Sequence, residues 1–162
     1  MFATDITLNE FNRAYLSRLM ADIREDELDC QPHAELHSVR WILAHLAIAV
    51  DYGFAQLGMP FVCPADWHSG YGPTSQAGTA ANVKPTQDEL LAKIDSGYTQ
   101  LCSAASAASP SQLEEIHEVG LLKGTPLRTK GDLIAHLLAT HFAVHLGQLS
   151  TLRRLSGRPM LF

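Results

Sequence analysis

The segment DLIAHLLATHFAVHLGQ, residues 132–148, has the apolar periodicity of a long amphipathic helix and decides the fold. Within it, His141 and His145 stand four residues apart, so their side chains project from one helix face, one turn above the other. This spacing lets two imidazoles bind one metal ion and is the helical part of several zinc sites. Two ligands are too few for such a site, so a third must come from elsewhere in the chain.

Apolar residues at steps of three and four predict further long helices. One covers about residues 6–24 and a second about 38–57, where Ser38 is the expected N-cap. A capping box at residues 86–89 opens a third, and the last helix runs from about 129 to 156. The chain shows little or no strand pattern. The sequence therefore predicts an all-α fold of four long helices, forming one domain over residues 1–162.

The periodicity also predicts which side chains face the core. In the first helix the expected buried stripe is Leu8, Phe11, Tyr15, Leu16, Leu19, Met20 and Ile23. In the last helix it is Leu133, Leu137, His141, Val144, His145, Gln148 and Leu152. Polar groups on such a stripe must find partners or cost free energy. His45 lies on the stripe of the second helix, which leaves two alternatives: a metal site or a buried hydrogen-bond network.

Three further polar residues are weighed against these histidines. At about 100° per residue, His136 lies about 180° around the helix from His145, so we expect it to be a surface or interhelical residue. Asp51 is about 120° away from His45 and is interpreted as a solvated carboxylate. His68 belongs to the Gly- and Pro-rich segment 58–85, which predicts a long loop between the second and third helices.

Composition excludes several classes of function. The net charge of −5 disfavours a nucleic-acid surface, and no apolar stretch approaches the roughly 20 residues that a membrane span needs. The N-terminus shows no signal-peptide pattern. Three widely spaced cysteines without a CxxC motif fit free thiols in a reducing compartment, so we expect a cytoplasmic protein.

Two motifs carry a family resemblance: WILAHLA at residues 41–47 and HxxxHxGQL at residues 141–149. Together with the helix order and the long loop, they resemble the DinB-like (DinB/YfiT) superfamily over nearly the whole chain. The resemblance implies an up-down-down-up four-helix bundle, a homodimer, and a divalent metal bound by His45, His141 and His145. Gln148 matches the glutamine of the family. Leu146 replaces an arginine found in some members, so any role of that cation is lost here.

The resemblance also suggests a chemistry, because characterised relatives include thiol-dependent S-transferases and a mycothiol-dependent isomerase. Three imidazoles suit zinc or nickel and leave a coordination position for water, a low-molecular-weight thiol or a small-molecule substrate. Gln148 would support the site, and Trp67, His68 and Tyr71 of the loop would form one wall of its pocket. The alternatives are a non-catalytic homodimeric metal-binding bundle and a metal-free histidine network.

Overall fold

In the residues that the computed structural model describes, 1–75 and 83–161, the regular secondary structure is helical, apart from one isolated bridge between Ile116 and Thr129. The α-helices are α1 (Ala3–Met20), α2 (Val39–Gln56), α3 (Ala65–Tyr71), α4 (Gln87–Ala107), α5 (Pro110–Glu114), α6 (Lys130–His136) and α7 (Phe142–Leu155). A π-helical turn, Leu137–His141, joins α6 to α7, so these three form one continuous helix. Short 3-10 turns lie at Glu25–Glu27 and Gly120–Leu122. The all-α prediction is confirmed.

Three of the four long helices begin at the caps that the sequence indicates, whereas α1 begins after Phe2 without a side-chain cap. The Ser38 hydroxyl accepts a hydrogen bond from the Trp41 amide at the start of α2. Thr86 and Thr129 each open a capping box with the acidic residue three positions later. Beyond α7, Gly157 adopts a positive φ of 81°, which a residue without a Cβ tolerates. These local interactions explain why sequence reasoning placed the helix starts well.

Helix α2 is the central helix of the bundle. Nearly every residue from Val39 to Phe54 is buried, as expected for a helix that is apolar around most of its circumference. It packs against α3, α4 and α7. Contact with α4 is especially close, because a Cβ added at Gly53 would lie 2.8 Å from methyl carbons of Leu101. His45 therefore lies on the most enclosed helix of the fold.

The direction of α1 relative to its neighbours follows from its hydrogen bonds. Asn9, in its first half, bonds the Leu138 carbonyl, and Leu19, near its end, accepts from Arg153, so α1 runs parallel to the last helix. Gln87 at the start of α4 reaches the carbonyl of Met20 at the end of α1, so these two helices are antiparallel.

Helix α2 has the same direction as α4 and the opposite direction to the last helix. Val50 lies against Gly97 and Gly53 against Leu101, so both helices advance together. Ala49 instead packs with Leu133 and Leu137, whereas the earlier His45 contacts the later His141. With α1 and the last helix pointing up, α2 and α4 point down. This order is up-down-down-up.

Helix α1 departs from its predicted stripe. It ends at Met20 rather than near residue 24, and Leu8 and Phe11 are 44% and 57% exposed. Asn9 and Asn12 are buried in their place. Their amides donate to the carbonyls of Leu138 and Ala139, at 2.9 and 3.2 Å, inside the π turn where the regular helical bonding pattern is interrupted. The buried asparagines of α1 therefore supply hydrogen-bond donors to the backbone of the π turn.

The last helix also departs from its predicted stripe after the π turn. Val144 is 60% exposed and Gln148 is exposed, whereas Phe142, Leu146 and Leu149 are buried. A π turn contains more residues than an α turn, so it changes the face that all later residues present. Among the described helices, none offers an apolar run long enough to span a bilayer.

Candidate metal centre

Three histidines from two helices meet inside the bundle. His45 lies in the middle of α2, His141 closes the π turn, and His145 lies one turn later in α7. One ligand nitrogen from each lies within 4.8 Å of the others, and the ring centroids are 4.6 to 5.3 Å apart. This group can hold a metal ion. The structure thus brings together the three histidines that the sequence singled out.

Two of the three rings are oriented by hydrogen bonds at Nδ1. Nδ1 of His45 lies 2.8 Å from the Tyr71 carbonyl oxygen, and Nδ1 of His145 lies 2.8 Å from Oε1 of Gln148. Both partners are acceptors, so each Nδ1 carries the proton and each Nε2 keeps its lone pair. Metal-bound histidines usually have such a partner on the second nitrogen, which fixes the tautomer and the ring orientation. The donor set therefore fits a metal ion.

His141 completes the group and leaves one polar atom without a partner. Its Nε2 lies 3.3 Å from Nε2 of His45, while its buried Nδ1 has no hydrogen-bond partner. An unpaired polar atom in the interior costs free energy, so burial of this ring needs a compensating interaction. Coordination of a cation by Nε2 is such an interaction, and three imidazoles are ligands that zinc and nickel accept.

Burial keeps these imidazoles neutral. The pKa of His45 is lowered to about 4 and that of His141 to about 2, mainly by desolvation and in part by the neighbouring histidines. Desolvation also lowers the pKa of His145, although its bond to Gln148 opposes the shift. At neutral pH the lone pairs are therefore available, because only the unprotonated imidazole binds a metal.

A stack of rings supports His45 from the side of α2. The Trp41 ring stacks on His45 at 4.6 Å and on His37 at 3.5 Å, both with an interplanar angle of 9°. Trp41 is held in turn by a 2.8 Å hydrogen bond from its Nε1 to the Ser75 hydroxyl. Sequence reasoning used Trp41 only as part of a motif, although its position one turn before His45 was the available signal.

The π turn brings His136 closer to His141 than a straight α-helix would. In a straight α-helix, residues five apart point away from each other, but a π turn bonds residues i and i+5 and aligns them. His136 consequently meets the His141 ring edge-on, at 5.6 Å between centroids, and lines the same cavity. Its Nδ1 lies 2.6 Å from the Thr140 hydroxyl. His136 remains outside the three-histidine group but belongs to its surroundings.

The cavity beside the histidines has a volume of about 170 Å³. His45, His136 and His141 form part of its wall. The apolar part of the wall includes Ala49, Tyr52, Pro73, Leu122, Leu133 and Leu137. Two of the three histidines of the group, His45 and His141, therefore border this cavity.

The loop residues that the sequence proposed for the pocket take different positions. Tyr71 reaches the centre through its backbone carbonyl, which holds His45, while its phenol donates to the Val83 carbonyl. Trp67 is buried in the main hydrophobic core. His68 bonds Asp51 and stacks on Phe61. Neither ring lines the cavity, whose wall takes Pro73 from this loop. Residues 76–82 of the predicted loop lie outside the described residues.

Asp51 is a buried anchor rather than a solvated carboxylate. It has no exposed surface, and it accepts hydrogen bonds from the Val62 and Cys63 amides and from Nε2 of His68, at 2.8, 3.1 and 2.7 Å. These bonds attach the segment after α2, including α3, to α2. Because α3 ends at Tyr71, Asp51 also helps to place the carbonyl that orients His45.

Replacing Gln148 with Leu tests the orientation of His145. The change removes the acceptor for Nδ1 at an exposed position, so the fold should persist while metal affinity falls about 10- to 100-fold. Gln148→Glu keeps an acceptor oxygen and should retain affinity close to that of the wild type. Competition titration with a chromogenic chelator measures both. Equal affinities for the Leu and Glu variants would show that this hydrogen bond does not support metal binding.

Comparisons with known proteins agree on the fold. A sequence model described as the DinB superfamily matches residues 8–149. A comparison with curated proteins finds no match. Among solved structures, the chain is similar to a conserved protein from Enterococcus faecalis, with a TM-score of 0.74, 16% sequence identity and 96% of each chain covered. At this identity the structural likeness concerns the fold alone.

Proposed function

Because this chain belongs to the DinB superfamily and gathers three histidines beside an open cavity, we propose that it is a divalent-metal-dependent enzyme. The reaction we assign is transfer of a thiol to an electrophilic substrate, or hydrolysis of that substrate by water. The observation that carries the proposal is the pairing of Nδ1 of His45 and His145 with acceptors, which leaves Nε2 of each ring as the nitrogen for a metal ion, in a group whose ligand atoms lie within 4.8 Å of one another.

The residues of this chain prepare the site for such a reaction. His45, His141 and His145 would hold the ion, and zinc or nickel suits an all-imidazole set. A divalent ion bound there supplies charge that lowers the pKa of a thiol or a water molecule and so provides a nucleophile. Tyr71 and Gln148 keep two of the rings in place. The apolar wall beside the histidines excludes water and strengthens electrostatic interactions within the site.

The second candidate is a non-catalytic, homodimeric metal-binding bundle. The exposure of Leu8 and Phe11 on α1 supports only the homodimer, since exposed apolar side chains on one helix face can belong to a protein–protein interface. A homodimer is compatible with either candidate, so oligomeric state does not decide between them.

The free thiols of Cys30, Cys63 and Cys102 support the proposal that the protein works in the reducing cytoplasm.

Metal-dependent turnover separates the two candidates. We expect protein reconstituted with zinc or nickel to accelerate the conjugation of glutathione or cysteine to 1-chloro-2,4-dinitrobenzene, or the hydrolysis of 4-nitrophenyl acetate. The matched control is His141→Ala treated with the same metal, which accounts for reaction on the protein surface and in solution. Stoichiometric metal without any turnover above this control, across thiols and esters, would favour the non-catalytic protein.

A further inference from the structure

We infer that the cavity beside the three histidines binds a small, uncharged and largely apolar group of the substrate, about the size of one aromatic ring. In this assignment His136 forms a hydrogen bond with a polar atom that this group carries. This inference rests on the proposed function, because it names the class of substrate that the site takes. It goes further in assigning the cavity a ligand and His136 a part in selecting that ligand.

The size of the cavity limits the ligand. Its volume of about 170 Å³ is close to that of engineered apolar cavities of about 150 Å³, which stay dry and bind benzene. A single ring or a short branched chain therefore fills it. A peptide-like thiol is far larger and carries several charges, so only its thiol group would approach the histidines. The cavity is consequently a place for the electrophilic substrate.

The lining of the cavity limits the charge of the ligand. Among the described residues that line it there is no Lys, Arg, Asp or Glu, and its side walls are aliphatic or aromatic. A charged group placed there would lose its hydration without gaining an ion pair, which costs several kcal/mol. The polar side chains in the wall are three histidines and Tyr52. An uncharged ligand with its polar atom directed toward the histidines matches this distribution.

His136 is the histidine in this wall that is not part of the metal group. Its Nδ1 is engaged by Thr140, which leaves Nε2 as the ring nitrogen for a ligand. Nε2 of His45 and Nε2 of His141 lie 3.3 Å apart and would both bind the metal ion in the proposed site. The π turn places the His136 ring against His141, so a ligand atom bonded to His136 would lie beside the metal position.

The first test measures binding of toluene to metal-free protein by NMR titration of methyl resonances. Toluene should bind, and benzylammonium, which has the same ring and a positive charge, should bind at least about tenfold more weakly. Absence of toluene binding, or equal binding of the two probes, would overturn the inference.

Variants that occupy the cavity locate the binding site. Ala49→Phe adds a ring inside the cavity and should weaken toluene binding about tenfold or more, provided that circular dichroism shows an intact fold. Leu121→Trp alters a 63% exposed side chain of the wall and serves if Ala49→Phe does not fold. The control is Val144→Trp, at a 60% exposed position away from this cavity, which should bind toluene like the wild type. Wild-type affinity in both cavity variants would contradict the assignment.

Benzyl alcohol tests the part assigned to His136. It differs from toluene by one hydroxyl, so the ratio of the two affinities reports the hydrogen bond rather than packing. His136→Phe should lower the ratio of benzyl alcohol affinity to toluene affinity about fivefold, whatever the change in toluene affinity itself. An unchanged ratio would remove His136 from the inference.

The outcome of these binding experiments is independent of the test of the proposed function. Toluene and benzyl alcohol binding is measured without metal, whereas the proposed function depends on metal content and turnover. A protein that binds metal and is active but does not bind toluene would contradict only the inference. A protein that binds toluene but no metal would contradict the proposed function, and the cavity would then be a simple ligand site.

Discussion

Replacing His141 with Ala should abolish stoichiometric metal binding. His141 closes the π turn, and its Nε2 lies 3.3 Å from that of His45, so its removal leaves two of the three histidines of the group. Loss of a residue that only orients a ligand typically costs 10- to 100-fold in metal affinity, and loss of a ligand should cost more. Elemental analysis of protein purified without chelators, followed by zinc titration, measures the effect.

His136→Ala is the matched control for that experiment. It removes an imidazole from the same helix, five residues earlier, and from the wall of the same cavity. We expect this variant to retain its metal. Circular dichroism and thermal unfolding in EDTA establish that both variants are folded. Retention of stoichiometric metal by His141→Ala, or its loss from both variants, would contradict the three-histidine assignment.

The second large effect is expected at Asp51, which lies away from the histidine group. Asp51→Ala leaves the amides of Val62 and Cys63 and the ring of His68 without their acceptor. Each unsatisfied buried polar group costs about 1–3 kcal/mol, so we expect the free energy of unfolding to fall by about 3 kcal/mol or more. Urea unfolding followed by circular dichroism measures the change.

Two further variants are the controls for the stability of Asp51→Ala. Asp51→Asn keeps one acceptor oxygen and should lose less stability than Asp51→Ala. Asp66→Ala removes an exposed carboxylate in α3 and should change stability by no more than about 0.5 kcal/mol. Asp51→Ala should also weaken metal binding about tenfold, because α3 carries the Tyr71 carbonyl that orients His45. A stability equal to that of Asp66→Ala would show that Asp51 is not an anchor.

The sequence predicted which histidines form the group, but it did not predict the structure that surrounds them. Spacing and burial pointed to His45, His141 and His145, and Gln148 was expected beside them. The π turn was not predicted, although the sequence contains a signal for it. Buried apolar residues of the last helix recur at intervals of four: Ile134, Leu138, Phe142 and Leu146. In a straight α-helix such a row drifts by about 40° per step, and a wider turn compensates for the drift.

The polar residues that support the site illustrate the limit of helical periodicity. Asn9 and Asn12 lie outside the predicted apolar stripe of the first helix, yet they are buried and bond carbonyls about 130 residues later in the chain. Asp51 was interpreted as solvated because an isolated carboxylate on a helix is usually hydrated. In both cases the partners include backbone groups of another segment, and every residue type carries the same backbone groups, so the sequence does not indicate these partners.

The sequence by itself determined the four long helices, the caps of three of them and the presence of two histidines on one helix face, because these depend on interactions within about four residues of the chain. It did not predict the short helix α3, which lies in the segment expected to be a loop. Tertiary structure alone decided which helices are neighbours, and therefore that His45 meets His141 and His145. It also decided that His136 faces the cavity and that Tyr71 contributes its carbonyl rather than its ring. The physical reason is that burial and hydrogen-bond partners depend on segments distant in the chain, which the π turn and the Asp51 anchor bring together.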